Sequence, residues 1–114
     1  MDDAQQLQLL FHTLGDANRL KIIKFIGKEE RSVSEIVESI GLSQPLVSHH
    51  LRILREREIL ETKRNGPFIY YKLKNEKLLG ALGLFLEIAS TVKSRTPFEP
   101  MFCCPPKWST KIKK

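Results

Sequence analysis

The stretch 41–73, GLSQPLVSHHLRILREREILETKRNGPFIYYKL, decides the fold of this chain. Ser43 is of a type that caps the start of a helix, and Pro45 stands in the first turn, where its missing amide hydrogen costs nothing. The pattern predicts a helix from this point. Residues spaced by three and four positions form its apolar face: Val47, Leu51 and Leu54.

The other face of this helix is polar and contains no carboxylate before Glu56. A helix that is polar only for solubility usually mixes in acids, as residues 55–58 do. A neutral-to-basic face is suited to phosphates and to the edges of bases. We therefore predict that this face binds DNA, with Pro45 acting by contact or shape and without an amide donor. The predicted contact residues are Ser43, Gln44, Pro45, Ser48, His49 and Arg52.

Two short β-prone segments follow the helix, at residues 59–64 and 68–73. Asn65-Gly66 lies between them and is a strong signal for a β-hairpin. We predict that Lys63 and Arg64 on this hairpin contact phosphate. A capped helix followed directly by a basic hairpin is the sequence form of a winged helix-turn-helix, and it points to double-stranded DNA as the partner.

Three helices are predicted before this element. The first spans residues 4–14, and Asp16 can cap a second that stops at Gly27. Ser32 and Glu35 have the spacing of a capping box, which starts a third helix that ends at Gly41. The fold class is therefore mainly α with a small β-hairpin.

A last helix is predicted from Asn75 to about Val92, and its apolar residues extend almost all round it. So wide an apolar surface on a small domain needs a second layer to cover it. The same helix of a second subunit, with the first helix alongside, is the predicted cover. The residues assigned to this dimer interface are Leu7, Leu10, Phe11, Leu78, Leu82, Phe85, Leu86 and Ala89.

Composition and charge divide the chain of 114 residues into two parts. Residues 1–92 are predicted to form one domain for DNA binding and dimerisation. Residues 93–114 contain four prolines and six basic residues against one acid, which predicts an irregular basic tail. Residues 43–74 carry seven basic residues against three acids, so most of the basicity lies in the DNA-binding element and the tail.

Several classes of protein are disfavoured. The most apolar run, residues 78–89, is far shorter than the roughly 20 residues of a membrane span and contains Glu87, so we expect a cytoplasmic protein without a membrane partner. The chain has no phosphate-binding glycine loop and no nucleophile–base pair at useful spacing, so we expect no enzyme and no required cofactor. The adjacent His49 and His50 would point about 100° apart on a helix and would not readily share a metal ion.

Beyond these patterns, the chain resembles the ArsR/SmtB transcriptional regulators. The specific part is the run SQPLVSHHLRILR at residues 43–55, supported by LGDANRL at 14–20 and YYKL at 70–73. The resemblance covers about residues 7–92. It implies a homodimeric winged-helix repressor that binds a near-palindromic operator and is released when an inducer binds.

The sequence departs from this family at the inducer sites. Where some members carry Cys-Val-Cys, this chain has Ser32-Val33-Ser34, and hydroxyls are poor ligands for soft metals. The last helix lacks the histidines of zinc-responsive members. Cys103 and Cys104 remain, and similar pairs in some relatives bind As(III) or Sb(III). We predict that this pair is the metal site, with a third thiolate supplied by the partner subunit or by a small thiol.

Other interpretations stay open. The cysteine pair is alternatively a redox switch, although a disulfide between neighbours needs a strained ring, or it is incidental. A DNA-binding regulator without an effector is a further alternative. A membrane-surface or RNA binder that uses the basic tail would survive loss of the hairpin but not of residues 93–114.

Overall fold

A computed structural model describes residues 1–92 of the chain. Within this range the elements follow in the order α1 (Asp3–Leu14), α2 (Ala17–Ile26), β1 (Arg31–Ser32), α3 (Val33–Ile40), α4 (Gln44–Glu56), β2 (Leu60–Asn65), β3 (Phe68–Leu73) and α5 (Lys77–Ala89). The winged helix-turn-helix predicted from the sequence is confirmed.

The predicted caps set the helix boundaries. The Asp16 carboxylate accepts the amide hydrogens of Asn18 at 2.8 Å and Arg19 at 3.2 Å at the start of α2. The capping box that begins α3 is complete. Ser32 donates its amide to Glu35 Oε1 at 2.8 Å, and its Oγ accepts the Glu35 amide at 3.3 Å. Gly41 ends α3 at φ 81°, a left-handed conformation that residues with a side chain rarely adopt.

The core lies where α2, α3 and α4 meet and is closed by the base of the hairpin. Seven of its side chains are fully buried within the three helices: Ile22, Ile23, Ile26, Ile36, Val47, Leu51 and Leu54. Leu60 and Leu73 are paired in register at the end of the hairpin nearest the core and are 1% and 3% exposed. Isoleucine, valine and leucine side chains thus pack both α4 and the hairpin against the same hydrophobic core.

The sheet differs from the predicted hairpin in two respects. It has three strands in the order β1–β3–β2, because Arg31 and Ser32 pair with Tyr71 and Tyr70. A strand of two residues has no alternation from which it could be predicted. The turn also falls one residue later than predicted, since Asn65 still pairs with Phe68. The two loop residues are therefore Gly66, at φ 64°, and Pro67, whose ring fixes its own φ.

The end of α4 carries no glycine. Glu58 takes the left-handed position instead, at φ 63°. The Ile59 amide donates to the Leu54 carbonyl and the Glu58 amide to the Arg55 carbonyl, both at 2.9 Å. These are the two bonds of a Schellman motif, which turns the chain sharply into β2. The Glu58 carboxylate also pairs with the ammonium of Lys74, which directly follows β3 at the same end of the hairpin.

The chain divides into two compact units, and the division falls inside α5, between Ala81 and Leu82. The Asn75 side chain accepts the amide hydrogen of Lys77, the first residue of α5, at 2.9 Å. No side chain of α5 is buried. None of the helices within residues 1–92 is both long and apolar enough to cross a membrane.

Candidate nucleic-acid interface

Helix α4 is held rigidly from its inner face. Val47, Leu51 and Leu54 are fully buried, so the helix has one rotational setting in which all three fit the core. Its first turn is capped by Ser43, whose Oγ accepts the Leu46 amide at 3.4 Å, and Pro45 follows in the first turn. The opposite face is thereby presented to solvent in a fixed orientation.

The predicted contact residues of α4 all lie on its exposed surface, from Ser43 to Arg52. Gln44, Ser48 and Arg52 form no side-chain hydrogen bond or ion pair with any other residue of the 1–92 segment. Their donors and acceptors are therefore available to an outside partner. Ser43 uses its oxygen as a cap acceptor but keeps its hydroxyl hydrogen to donate.

The sequence prediction omitted one basic residue of this surface. Arg55 is exposed and stands three residues after Arg52 and seven after Ser48, so it belongs to the same side of the helix. Arg55 begins the mixed-charge run 55–58, so a criterion based on the absence of carboxylates does not include it. The same helical spacing that selected Ser48 and Arg52 would have found it.

The two predicted hairpin cations do not act as a pair. Side chains alternate between the faces of a strand, so Lys63, opposite Tyr70, and Arg64, opposite Ile69, project from opposite faces. Lys63 also lies 3.4 Å from the Glu30 carboxylate in an exposed ion pair. Such pairs are weak, about 0–1 kcal/mol, so Lys63 can exchange this partner for another anion.

The two histidines of α4 have different surroundings. His49 is exposed, whereas His50 is 5% exposed and packs at the edge of the core. Their ring centroids are 5.6 Å apart and the ring planes are inclined by 58°. Burial lowers the pKa of His50 from its ordinary 6.5, so its ring is neutral at pH 7.

Apolar side chains of α1 and α5 are exposed in the single chain. Leu7 and Phe11, one turn apart on α1, are 50% and 46% exposed. On α5, Phe85 is 44% and Leu86 65% exposed. The predicted interface residues Leu10, Leu78 and Leu82 are half-buried, and Ala89 is exposed. Their role in a dimer stays a prediction.

The structure describes only some of the residues that the sequence analysis considered as inducer ligands. Ser32, which stands where some relatives carry a cysteine, uses its hydroxyl as the cap acceptor of α3. No group of three or more His, Cys, Asp or Glu side chains in residues 1–92 is arranged to hold a metal ion. Cys103 and Cys104, and the predicted tail 93–114 as a whole, lie outside the described residues.

The buried helical core, the capped α4 with its exposed polar face and the hairpin after it define a winged helix-turn-helix protein. Residues 16–62 match the family described as "Bacterial regulatory protein, arsR family". The chain is 32% identical over 77 residues to the transcriptional repressor SdpR of Bacillus subtilis, a match that covers 68% of this chain and 86% of SdpR. The chain belongs to the ArsR family of bacterial regulatory proteins.

Two further proteins support this assignment. The SmtB homologue of Synechocystis, a transcriptional repressor, is 32% identical over 89 residues, which are 78% of this chain and 65% of that protein. The chain thus spans less than two thirds of the length of this relative. The crystal structure of NolR from Sinorhizobium fredii superposes with a TM-score of 0.69 at 29% identity and covers 79% of this chain and 90% of NolR.

Proposed function

We propose that this protein is a homodimeric, sequence-specific transcriptional repressor in which α4 is the recognition helix. One observation carries the proposal: α4 buries its whole apolar face while its opposite face is exposed, without a carboxylate before Glu56 and without internal partners for Gln44, Ser48 and Arg52. A helix of this width fits the major groove of B-DNA. Repression follows when the dimer occupies an operator that overlaps a promoter.

Each proposed contact residue of α4 has a role in DNA binding that follows from the chemistry of its side chain. Arg52 can donate two hydrogen bonds to O6 and N7 of a guanine. Gln44 can pair in a bidentate manner with an adenine, and Ser48 can bond to several bases. His49 contacts a base or a phosphate, Pro45 contributes by shape, and the free hydroxyl hydrogen of Ser43 donates to a phosphate. Arg55, on the same side of the helix, is a further phosphate contact.

The hairpin supplies backbone contacts beside the groove. Because Lys63 and Arg64 project from opposite faces, they would meet different phosphates along the duplex. Neither is expected to read sequence. Their loss would therefore weaken binding to every duplex by a similar factor and reduce its salt dependence.

A second copy of the chain completes the proposal. The exposed apolar side chains of α1 and α5 support a dimer, because a small domain rarely leaves so many leucines in water. A two-fold dimer presents two recognition helices to the half-sites of a near-palindromic operator, one helical turn of DNA apart.

Replacement of the proposed guanine contact tests the DNA-binding mode. We expect Arg52→Ala to weaken binding to the operator by about 1–3 kcal/mol, roughly 5- to 150-fold, and to relax specificity at one base position. Fluorescence anisotropy on a duplex that the wild-type protein has selected from a random-sequence pool measures both effects. Lys21→Ala, an exposed cation of α2, is the matched control for the lost charge and should change the affinity little. Equal losses in the two variants would contradict the role of Arg52.

Cys103 and Cys104 are the proposed inducer site, with As(III) or Sb(III) as the inducer. The proposal is supported by the chemistry of the chain, since thiolates are the ligands that soft ions prefer and Ser32 is committed to a helix cap. An ion of this kind takes three thiolates, so the third comes from the partner subunit or a small thiol. Binding then favours a dimer geometry in which the recognition helices no longer match both half-sites.

Titration of the reduced protein with As(III) on the selected duplex tests this inducer. We expect the ion to release wild-type protein but not the Cys103→Ser/Cys104→Ser variant. If an oxidant releases only the wild type, and As(III) releases neither protein, the pair is a redox switch. If both proteins bind equally under all conditions, the regulator acts without an effector at this pair.

A further inference from the structure

Arg19 joins three helices through its guanidinium group. It stands on α2, and its Nη1 donates to the Thr13 carbonyl of α1 at 2.9 Å. Its Nε donates to Nδ1 of His50 on α4 at 3.3 Å. Thr13 and His50 are 1% and 5% exposed, so both bonds lie at the edge of the core, where they compete little with water. Arg19 on α2 is thus hydrogen-bonded to both α1 and α4.

The bond to His50 depends on the protonation state of the ring. An arginine stays charged and only donates, so Nδ1 must be the unprotonated acceptor nitrogen. Protonation of His50 would place an N–H against the Nε–H of Arg19 and a second positive charge beside the first. The hydrogen bond would then be replaced by repulsion within a largely buried site.

The charged groups that act on His50 come from two elements. Asp16 on the N-terminal side of α2 favours the protonated ring, while Arg19 and the neighbouring His49 oppose it. Helix α3 and strand β2 also pack on α4 but add no charged group to this set within residues 1–92. Burial has the largest effect, and the net result is a pKa of His50 below its ordinary 6.5.

We propose that Arg19 and His50 are positioning residues for DNA recognition, and that acidification releases α4 from this link and weakens binding to the operator. The inference rests on the proposed DNA-binding function and deepens it. Neither residue needs to touch DNA: the link fixes the angle of α4 relative to α1 and α2, and thereby the position of Gln44, Ser48 and Arg52 in the groove.

The direction of the pH effect follows from linkage. Because the pKa of His50 is lowered in the folded protein, the folded state binds fewer protons than the unfolded state in the window below pH 6.5. The contribution of the neutral ring is present above pH 6.5 and is lost as the pH falls through the folded pKa. Long-range electrostatics has the opposite sign, because an increase in the positive charge of a protein favours binding to DNA.

His50→Asn separates these effects. The amide of asparagine places an oxygen one bond beyond Cγ, as Nδ1 is, and this acceptor does not titrate. Affinity for a duplex selected from a random-sequence pool would be measured by anisotropy at about pH 7.5 and about pH 5.5, at equal ionic strength. We expect the wild type to weaken by about three- to tenfold on acidification relative to His50→Asn. The control His12→Asn, which replaces an exposed histidine of α1 outside the proposed DNA contacts, should retain the weakening of the wild type.

The substitution Arg19→Lys is the second test of the link between Arg19 and His50. Lysine keeps the charge and can reach the Thr13 carbonyl, but it lacks the fixed Nε–H donor. We expect weaker binding at pH 7.5 and a shallower pH profile, with thermal unfolding as the check that the fold is retained. If His50→Asn and the wild type have the same pH profile, the inference is overturned even where Arg19→Lys fails to fold. If the wild type selects no duplex at all, the proposed function falls as well.

Discussion

Leu86→Glu is expected to convert the protein from a dimer to a monomer and to abolish tight operator binding. Leu86 is 65% exposed in the single chain, and the proposed dimer buries it twice, once from each subunit. Burial of one leucine contributes about 1.5–3 kcal/mol, so the two copies contribute about 3–6 kcal/mol. This corresponds to a rise of roughly 10²- to 10⁴-fold in the dimer dissociation constant, before the cost of burying a carboxylate is added.

Analytical ultracentrifugation over a range of protein concentrations measures this shift. Leu84→Glu is a close control, since Leu84 is 64% exposed and receives the same substitution. Leu84 and Leu86 are two positions apart, so their side chains point about 160° apart around the helix. Leu84 therefore faces away from the predicted interface residues. We expect Leu84→Glu to remain dimeric. If it dissociates as readily as Leu86→Glu, the interface lies on a different side of α5.

Leu51→Ala is expected to destabilise the fold by about 2–5 kcal/mol. Leu51 is fully buried between the helices of the core, and its truncation removes apolar contacts and leaves a cavity. Domains of this size are stable by only about 5–15 kcal/mol, so the loss is a large share of the total. The urea midpoint should fall, while the dependence of the unfolding free energy on urea stays the same.

Leu46→Ala in the same helix is the control for this substitution. Leu46 is 38% exposed, so the same truncation removes less buried surface and is expected to cost about 1 kcal/mol or less. Both variants must be compared with the wild type at one protein concentration, because dimerisation stabilises the folded state. Similar losses for Leu46 and Leu51 would show that α4 is not held by its inner face in the way the structure indicates.

Much of this fold could be predicted because its boundaries depend on local chemistry. Asp16, Ser32 and Ser43 accept amide hydrogens from residues two or three positions ahead, which is a relation within one turn of the chain. Helical spacing alone predicts that Val47, Leu51 and Leu54 belong to the core, and all three are fully buried. The exposed positions of Gln44, Ser48 and Arg52 then follow, since they occupy the rest of the same helix.

The differences between prediction and structure lie where distant segments meet. The two residues of β1 are too few to show the alternation of a strand, and they form one because they pair with β3. The turn at Gly66-Pro67 falls one residue later than Asn65-Gly66 because the pairing of Leu60 with Leu73 sets the register of the whole hairpin. Glu58 ends α4 in a left-handed conformation that a glutamate by itself disfavours.

The sequence by itself determined the class of fold, the caps and the polar face of α4, because each depends on residues within a few positions of one another. Only the tertiary structure decided that β1 pairs with β3, that Lys63 pairs with Glu30, and that Arg19 reaches His50. Arg19 and His50 are 31 positions apart, and the residues around each of them do not predict that the two side chains form a hydrogen bond. Such contacts depend on how α1, α2 and α4 pack, which is decided by the shape of the whole core and by no single segment.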